Sequence, residues 1–362
     1  MLAAVMPSAP EDEPARPAAW CTRGRAALGW LHEHETVLWW VHSAWALALG
    51  IGVMWLGARN FAVLRVAFYQ IGFIWLTSLA LPLVLQHRHV GPKLGARLRL
   101  AVNYVQKNFY QQMLFFVLPV YHGSATWSSG NVLFVVVVAV SATLSTFDVV
   151  YDRHLSVKRG LTALFFAFNL FALVNVALPV LWSVSNAWAM RASAVAAIAG
   201  FATIRFHPRD LARRNVLVVV ATAALLLVVV LERGRAYIPP APLQLTTADF
   251  GATVNRASLA VGGPVDVLTP AWRGQLHAVT AIRAPLGLRD RVRHRWSVDG
   301  RPVFTSSAYT VTGGRARGFR LWTAVALKDL QAGQVVRLDV ETEAGQLIGR
   351  ARLPVRDLPP GS

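Results

Sequence analysis

Seven apolar stretches, each close to the length of one bilayer crossing, occupy the first two thirds of this chain, and arginine crowds into every second gap between them. A hydrocarbon core about 30 Å thick needs about 20 apolar residues per helical crossing. In lipid the backbone must satisfy its own hydrogen bonds, and for single stretches of this length the helix does so. The spans read Thr36–Leu56, Phe61–Leu85, Ala101–Tyr121, Asn131–Val150, Leu161–Trp182, Ala187–Ile204 and Asn215–Leu231. Six are plainly apolar. The third carries Asn103, Gln106, Lys107, Asn108, Gln111 and Gln112 in its first half.

The connectors give the orientation. Gln86–Leu100 holds Arg88, Lys93, Arg97 and Arg99, Tyr151–Gly160 holds Arg153, Lys158 and Arg159, and Arg205–Arg214 holds Arg205, Arg209, Arg213 and Arg214. Between them, Gly57–Asn60 has only Arg59, and His122–Gly130 and Ser183–Asn186 are uncharged. Basic connectors stay in the cytoplasm, so the N-terminus is expected inside and the C-terminal third outside. The polar third span must cross, since otherwise two basic connectors would land outside.

Composition agrees with a lipid solvent. The chain of 362 residues is 55% hydrophobic and 15% charged, against roughly 25% charged in soluble domains. Its formal net charge of +18 comes almost wholly from arginine near span ends, which points to anionic headgroups as partner and away from nucleic acid. Cys21 is the single cysteine, so neither an intrachain disulfide nor a cysteine metal site is expected. Glu11-Asp12-Glu13 stands where a signal peptide would be apolar, and residues 1–35 read as a cytoplasmic tail.

After the seven-helix membrane domain, 36–232, a Pro-rich linker at 233–243 leads into an expected all-β domain at 244–357, with a tail at 358–362. There the hydrophobic period becomes two, in runs near Ala278–Ile282, Arg291–Val298, Val303–Thr312, Phe319–Leu327, Val335–Glu341 and Leu347–Val355. Asp299-Gly300, Gly313-Gly314, Ala332-Gly333 and Ala344-Gly345 supply turns. Short strands at this spacing predict an extracytoplasmic immunoglobulin-like sandwich.

Trp296-x-x-Asp299-Gly300, Gly314-x-x-x-Gly318-Phe319-Arg320-Leu321-Trp322, Gly333, Val336-x-Leu338-x-Val340 and Gly345-x-Leu347-Ile348-Gly349-x-x-x-Leu353-x-Val355 recur as a series. This series resembles a bacterial C-terminal domain of unknown function found in envelope-associated proteins, over Val279 to Val355. Gln334-Val335 departs from it, since that family often has an aromatic residue after the glycine. Asn108-Phe109-Tyr110-Gln111-Gln112 and Phe147-Asp148-x-x-Tyr151-Asp152 resemble an uncharacterised multi-pass family that carries such a domain. The resemblance implies a bacterial inner-membrane envelope protein and brings no activity.

Four groups could carry chemistry. Asn103, Lys107 and Gln111, with Gln106 beside them, share a helix face that is either a polar groove for a headgroup or ion or interhelical glue. Asp148 and Asp152, near His154, could hold a hard cation or simply pair with Arg153 and Lys158. His122 with Ser124, Ser128 and Ser129 offers a Ser–His pair but no orienting acid. Arg289, Arg291, Arg293 and Arg295 alternate with apolar residues, and Arg315, Arg317 and Arg320 extend an anion- or headgroup-binding face. From Pro239 onward sixteen basic residues stand against nine acidic ones. The alternative is a solvated edge strand that arginine protects from pairing. No catalytic residue and no cofactor is expected. The leading reading is a membrane anchor presenting a binding or scaffold domain to membrane lipid, an envelope protein or an anionic envelope polymer. The second is a transporter or a membrane enzyme working on a lipid-linked substrate through the third helix.

Overall fold

The computed structural model describes residues 63–85, 91–147 and 158–357, with scattered helical residues between 37 and 52. The span Thr36–Leu56 therefore lies largely outside the described residues, and Asp148, Asp152 and His154 lie wholly outside them. Met1–Trp45 is one unit, and everything from Ala46 onward belongs to a second.

The helices of the second unit are α1 (Val63–Leu85), α2 (Pro92–Gly123), α3 (Val132–Thr146), α4 (Arg159–Trp182), α5 (Asn186–Arg205) and α6 (Arg214–Arg233). Four are long and apolar enough to cross a membrane: Arg65–Leu85 within α1, then α4, α5 and α6. The seven-crossing expectation exceeds this count among the described residues. α3 is apolar but 15 residues long, about 22 Å at 1.5 Å per residue. α2 has 32 residues but is diluted by its polar half. Its start also corrects the connector reading. Pro92 at the first helical positions suits an N-terminus, where no N–H is needed. Lys93, Arg97 and Arg99 then belong to the first turns of α2, not to a loop.

The bundle core lies between α2 and α4, with Tyr110, Phe116, Tyr121, Phe166 and Leu173 almost fully buried. α5 packs on α4 through small residues, Ala189, Ser193, Ala197 and Gly200. A Cβ at Gly200 would stand 2.7 Å from the Phe166 ring, which shows how closely the two backbones approach. α6 buries no residue. Its Leu217, Val219, Leu225 and Val230 face outward, as lipid-facing side chains do.

The C-terminal region is all β, in two antiparallel sheets. Its strands are β1 (Gln244–Asn255), β2 (Ala260–Pro264), β3 (Gly274–Arg283), β4 (Arg289–Val298), β5 (Arg301–Thr305), β6 (Tyr309–Thr312), β7 (Phe319–Leu327), β8 (Val335–Thr342) and β9 (Leu347–Pro354). One sheet runs β2-β1-β3-β7 and the other β5-β4-β8-β9, with β6 also on β4. Asp299-Gly300 makes the β4–β5 turn with φ of 46° and 80°, the positive pair a two-residue hairpin requires. The run Val303–Thr312 divides into two strands at Ser306, whose hydroxyl accepts from the His294 N–H at 3.0 Å. β1 and β2 precede the first of the period-two runs.

The sheets meet face to face. The Trp296 ring lies 5.8 Å from Phe250 across the gap, and its Nε1–H donates to the Thr323 hydroxyl at 3.0 Å. His294 is fully buried between two threonines, with Nε2 2.8 Å from Thr280 Oγ1 and Nδ1 2.8 Å from Thr323 Oγ1. Burial holds its imidazole well below the ordinary value, at about 3, and so neutral.

Candidate functional site

The carboxylate that breaks the Arg289–Arg295 alternation ties the sheets to the helices. Asp290 takes the inward register with Val292, His294 and Trp296. Its Oδ2 accepts from the Asn186 backbone N–H at 3.0 Å and from the Asn186 Nδ2 at 2.8 Å. The residue before α5, Ser185, makes no side-chain cap. A helix N-terminus leaves backbone donors unpaired and favours negative charge, so a sheet carboxylate serves as the cap of a bundle helix.

Further bonds surround this one. Asn131, just before α3, donates from Nδ2 to the Leu347 carbonyl at 3.2 Å. Arg350 on β9 reaches the Ser128 carbonyl at 3.0 Å while holding both oxygens of Asp339, at 2.6 and 3.0 Å. Arg235 pairs with Glu232 and donates to the Ala344 carbonyl. Glu232 also receives Arg191 Nε at 2.6 Å, and the Arg191 guanidinium lies over the Trp188 ring. Burial, and then the neighbouring charge of Arg191, lowers the Arg235 pKa. Gln346 donates to the Ile238 carbonyl at 3.2 Å.

The Pro-rich stretch between these contacts is itself buried from Ile238 to Leu243. Ile238 packs with Phe171, Met190 and Ala194 of the bundle, and Leu243 packs with Ile282, Val292 and Val340 of the sheets. This stretch is shared core and not an exposed tether. The sheets stand end-on upon the bundle end where α2, α4 and α6 finish and α3 and α5 begin. The arginine-rich ends of these helices lie at the other end.

The expected sites divide on this frame. Gln106 Nε2 reaches the Thr77 hydroxyl at 2.9 Å and the Ser78 hydroxyl at 3.0 Å on α1. Gln70 of α1 donates to Gln112 Oε1 at 3.0 Å. Gln106, Lys107 and Gln111 are buried while Asn103, nearest the start of α2, is exposed. Among the described residues no cluster of His, Cys, Asp or Glu could hold a metal ion. The His122 ring stacks edge-on with Trp127 at 5.4 Å, and the Ser124 hydroxyl donates to the Val120 carbonyl.

The arginine face splits as well. Arg293 holds Glu341 at 2.7 Å and Arg291 holds Glu343 at 2.7 Å. Arg295 stands opposite Asp339 in register. Arg291 and Arg293 are thus paired with carboxylates at the β8 side, where Asp339 is held by Arg350 of β9. Arg320 is on the other sheet, donating to the Ser258 carbonyl at 3.0 Å. Arg289, Arg315 and Arg317 are exposed at the bundle end, and Arg315 lies over the Phe319 ring.

A family model of unknown function, DUF5924, matches residues 25–277. The chain belongs to the DUF5924 family. The match runs through the bundle, the buried Pro-rich stretch and β1 and β2, and it ends inside β3. No curated protein and no solved structure matches the chain. Asp290 and Asn186 were missed in the sequence. The usable signals were an acid in the inward register of an otherwise basic strand and an asparagine opening a span after a short polar loop.

Proposed function

We propose that this DUF5924 protein crosses the bacterial cytoplasmic membrane seven times, N-terminus inside, and holds an immunoglobulin-like sandwich rigidly on its outer face as a non-catalytic binding platform of the envelope. Four helices with the length and hydropathy for crossing support the membrane reading, and the position of the basic helix ends away from the sheets suits the orientation. The strand orders β1-β3-β7 and β5-β4-β8-β9, with a buried Trp296 on β4, match the immunoglobulin pattern of sheets and central tryptophan. The observation that carries the proposal is the hydrogen-bonded seam through Asp290, Asn131, Arg235 and Arg350. A domain fixed at one angle to a bilayer suits presentation to a partner at a set height.

Two measurements test this reading. Reporter fusions after Gly91 and Pro208 should read cytoplasmic, and one at Ser362 extracytoplasmic. A cytoplasmic signal at Ser362 overturns the orientation. Photo-crosslinking side chains placed in cells at Arg295, Asp299 and Arg352 should trap a reproducible envelope component. Absence of any adduct at all three overturns the platform.

A further inference from the structure

We infer that the loops β3–β4 and β6–β7 form a membrane-contacting tip, in which Leu286 enters the interface and Arg283, Arg289, Arg315 and Arg317 hold the phosphates of anionic phospholipid headgroups in the leaflet around the bundle. The inference rests on the proposed crossing of the bundle and adds a lipid contact that the anchor reading does not require.

Leu286 is 83% exposed, more than any other large apolar side chain among the described residues, including those on the helices. No other large apolar residue of the sheets exceeds 47%. A single exposed leucine is ordinary on a protein surface, so its weight here comes from the rigidity of its turn and from where that turn stands. The turn is built and not loose. Gly313 lies so close to Pro285 that a Cβ there would stand 1.7 Å from the Pro285 carbonyl oxygen. Gly314, at φ 82°, fits against the Leu286 side chain and donates its N–H to the Ala284 carbonyl at 3.0 Å. The two loops therefore brace each other and fix Leu286 outward.

The position of the tip gives its occupant. A Cβ on Gly287 would lie 3.1 Å from the hydroxyl of Ser183, the residue that ends α4. Two residues beyond the loop's last residue, Leu288, Asp290 caps α5. The turn thus sits level with the ends of two crossing helices, where Trp182 and Trp188 are 53% and 63% exposed. Exposed tryptophans at crossing-helix ends mark the headgroup level. The four arginines are all exposed and occupy the edge of the same end: Arg283 ends β3, Arg289 opens β4, and Arg315 and Arg317 sit in the β6–β7 loop. Asp290, the one acid among these segments, is turned inward and engaged by Asn186. Guanidinium forks match phosphate oxygens, and each basic residue near an anionic surface adds an attraction that salt screens within about 8 Å. Apolar apex, basic rim and interfacial height together fit an anionic bilayer, and Arg291 and Arg293, already paired with Glu343 and Glu341, do not take part.

The test uses the full chain in nanodiscs, with Cys21→Ser as background so that one introduced cysteine carries a polarity-sensitive dye. Leu225→Cys on α6 reports whether the bundle is in lipid, Asp299→Cys at the far end of the sheets is the aqueous control, and Leu286→Cys is the probe. In phosphatidylglycerol–phosphatidylcholine discs the Leu286 dye should read an interfacial environment, shifted to shorter emission than Asp299. The shift should shrink at least twofold in pure phosphatidylcholine or when Arg283, Arg289, Arg315 and Arg317 are all changed to Gln. An aqueous reading at Leu286 in the anionic discs, with Leu225 in lipid, overturns the tip alone. So does a lipid reading at Leu286 that ignores both lipid charge and the four-Gln change, which would leave a merely apolar contact. An aqueous reading at Leu225 overturns the membrane reading on which the tip rests.

Discussion

His294 shows what a single buried side chain can impose. Its imidazole is held neutral at about 3 by burial, while an unfolded chain would titrate near 6.5. Between those values only the unfolded chain takes up the proton, so stability rises with pH there. The contribution is complete above about 6.5 and drains away as pH falls toward 3, with a slope of about 1.4 kcal/mol per unit. Thermal unfolding of the full chain in detergent, followed by tryptophan fluorescence, should show that slope. His294→Gln should remove it, and an unchanged slope would mean other groups set the acid limit. Beside it, Trp296 fills the space between the sheets with no exposed surface. Trp296→Ala should lower the stability of the β region by about 3–5 kcal/mol and leave the Thr323 hydroxyl without its indole donor. A cost near zero in pulse proteolysis would mean that the ring is not core.

At the scale of elements, the decisive contact joins a strand to a helix 104 residues away in sequence. Asp290→Ala removes the cap of α5 and should cost about 1–2 kcal/mol. Hydrogen exchange should locate the loss at the Asn186 amide, because that donor loses its acceptor. Protection confined to its wild-type pattern would show that the cap is dispensable. This contact also marks where sequence reading stops. Apolar stretches made the positions of α1, α4, α5 and α6 legible, and alternation made β4, β7, β8 and β9 legible, because each signal is local. The start of α2 was hidden because Lys93, Arg97 and Arg99 read as a connector while Pro92 was in place to open a helix. β1 was hidden because Thr246, Thr247 and Ala248 give it no apolar face of period two. Spacing puts Asn103, Gln106, Lys107 and Gln111 on one face of α2, yet Asn103 is exposed while Gln106 is buried against α1. Spacing gives the face of a helix but not how far that face is covered. Asp290 was hidden because nothing within its own strand says that a helix end stands above it.

For the whole molecule, the question is whether the sheets swing on a tether or stand fixed on the bundle. Composition favours a tether, since Ile238-Pro239-Pro240-Ala241-Pro242 has the residues of a linker. Burial favours the fixed arrangement, since this stretch contributes Ile238 to the bundle core and Leu243 to the sheet core. A linker that supplies side chains to both cores cannot move without exposing apolar surface to water, at about 25 cal/mol per Å². Two polar clamps flank it, Arg235 on the Ala344 carbonyl and Gln346 on the Ile238 carbonyl. A nonspecific protease acting on the native full-length protein should therefore leave 238–243 uncut under conditions that cut the same stretch in the denatured chain. Arg235→Ala combined with Gln346→Ala removes both clamps but keeps every apolar contact, so cutting should rise by about tenfold for each 1.4 kcal/mol lost while the helices and sheets stay folded. Cleavage of the native wild type at this stretch as fast as in the denatured chain would mean a free tether, and with it a platform that does not hold its domain at a set height.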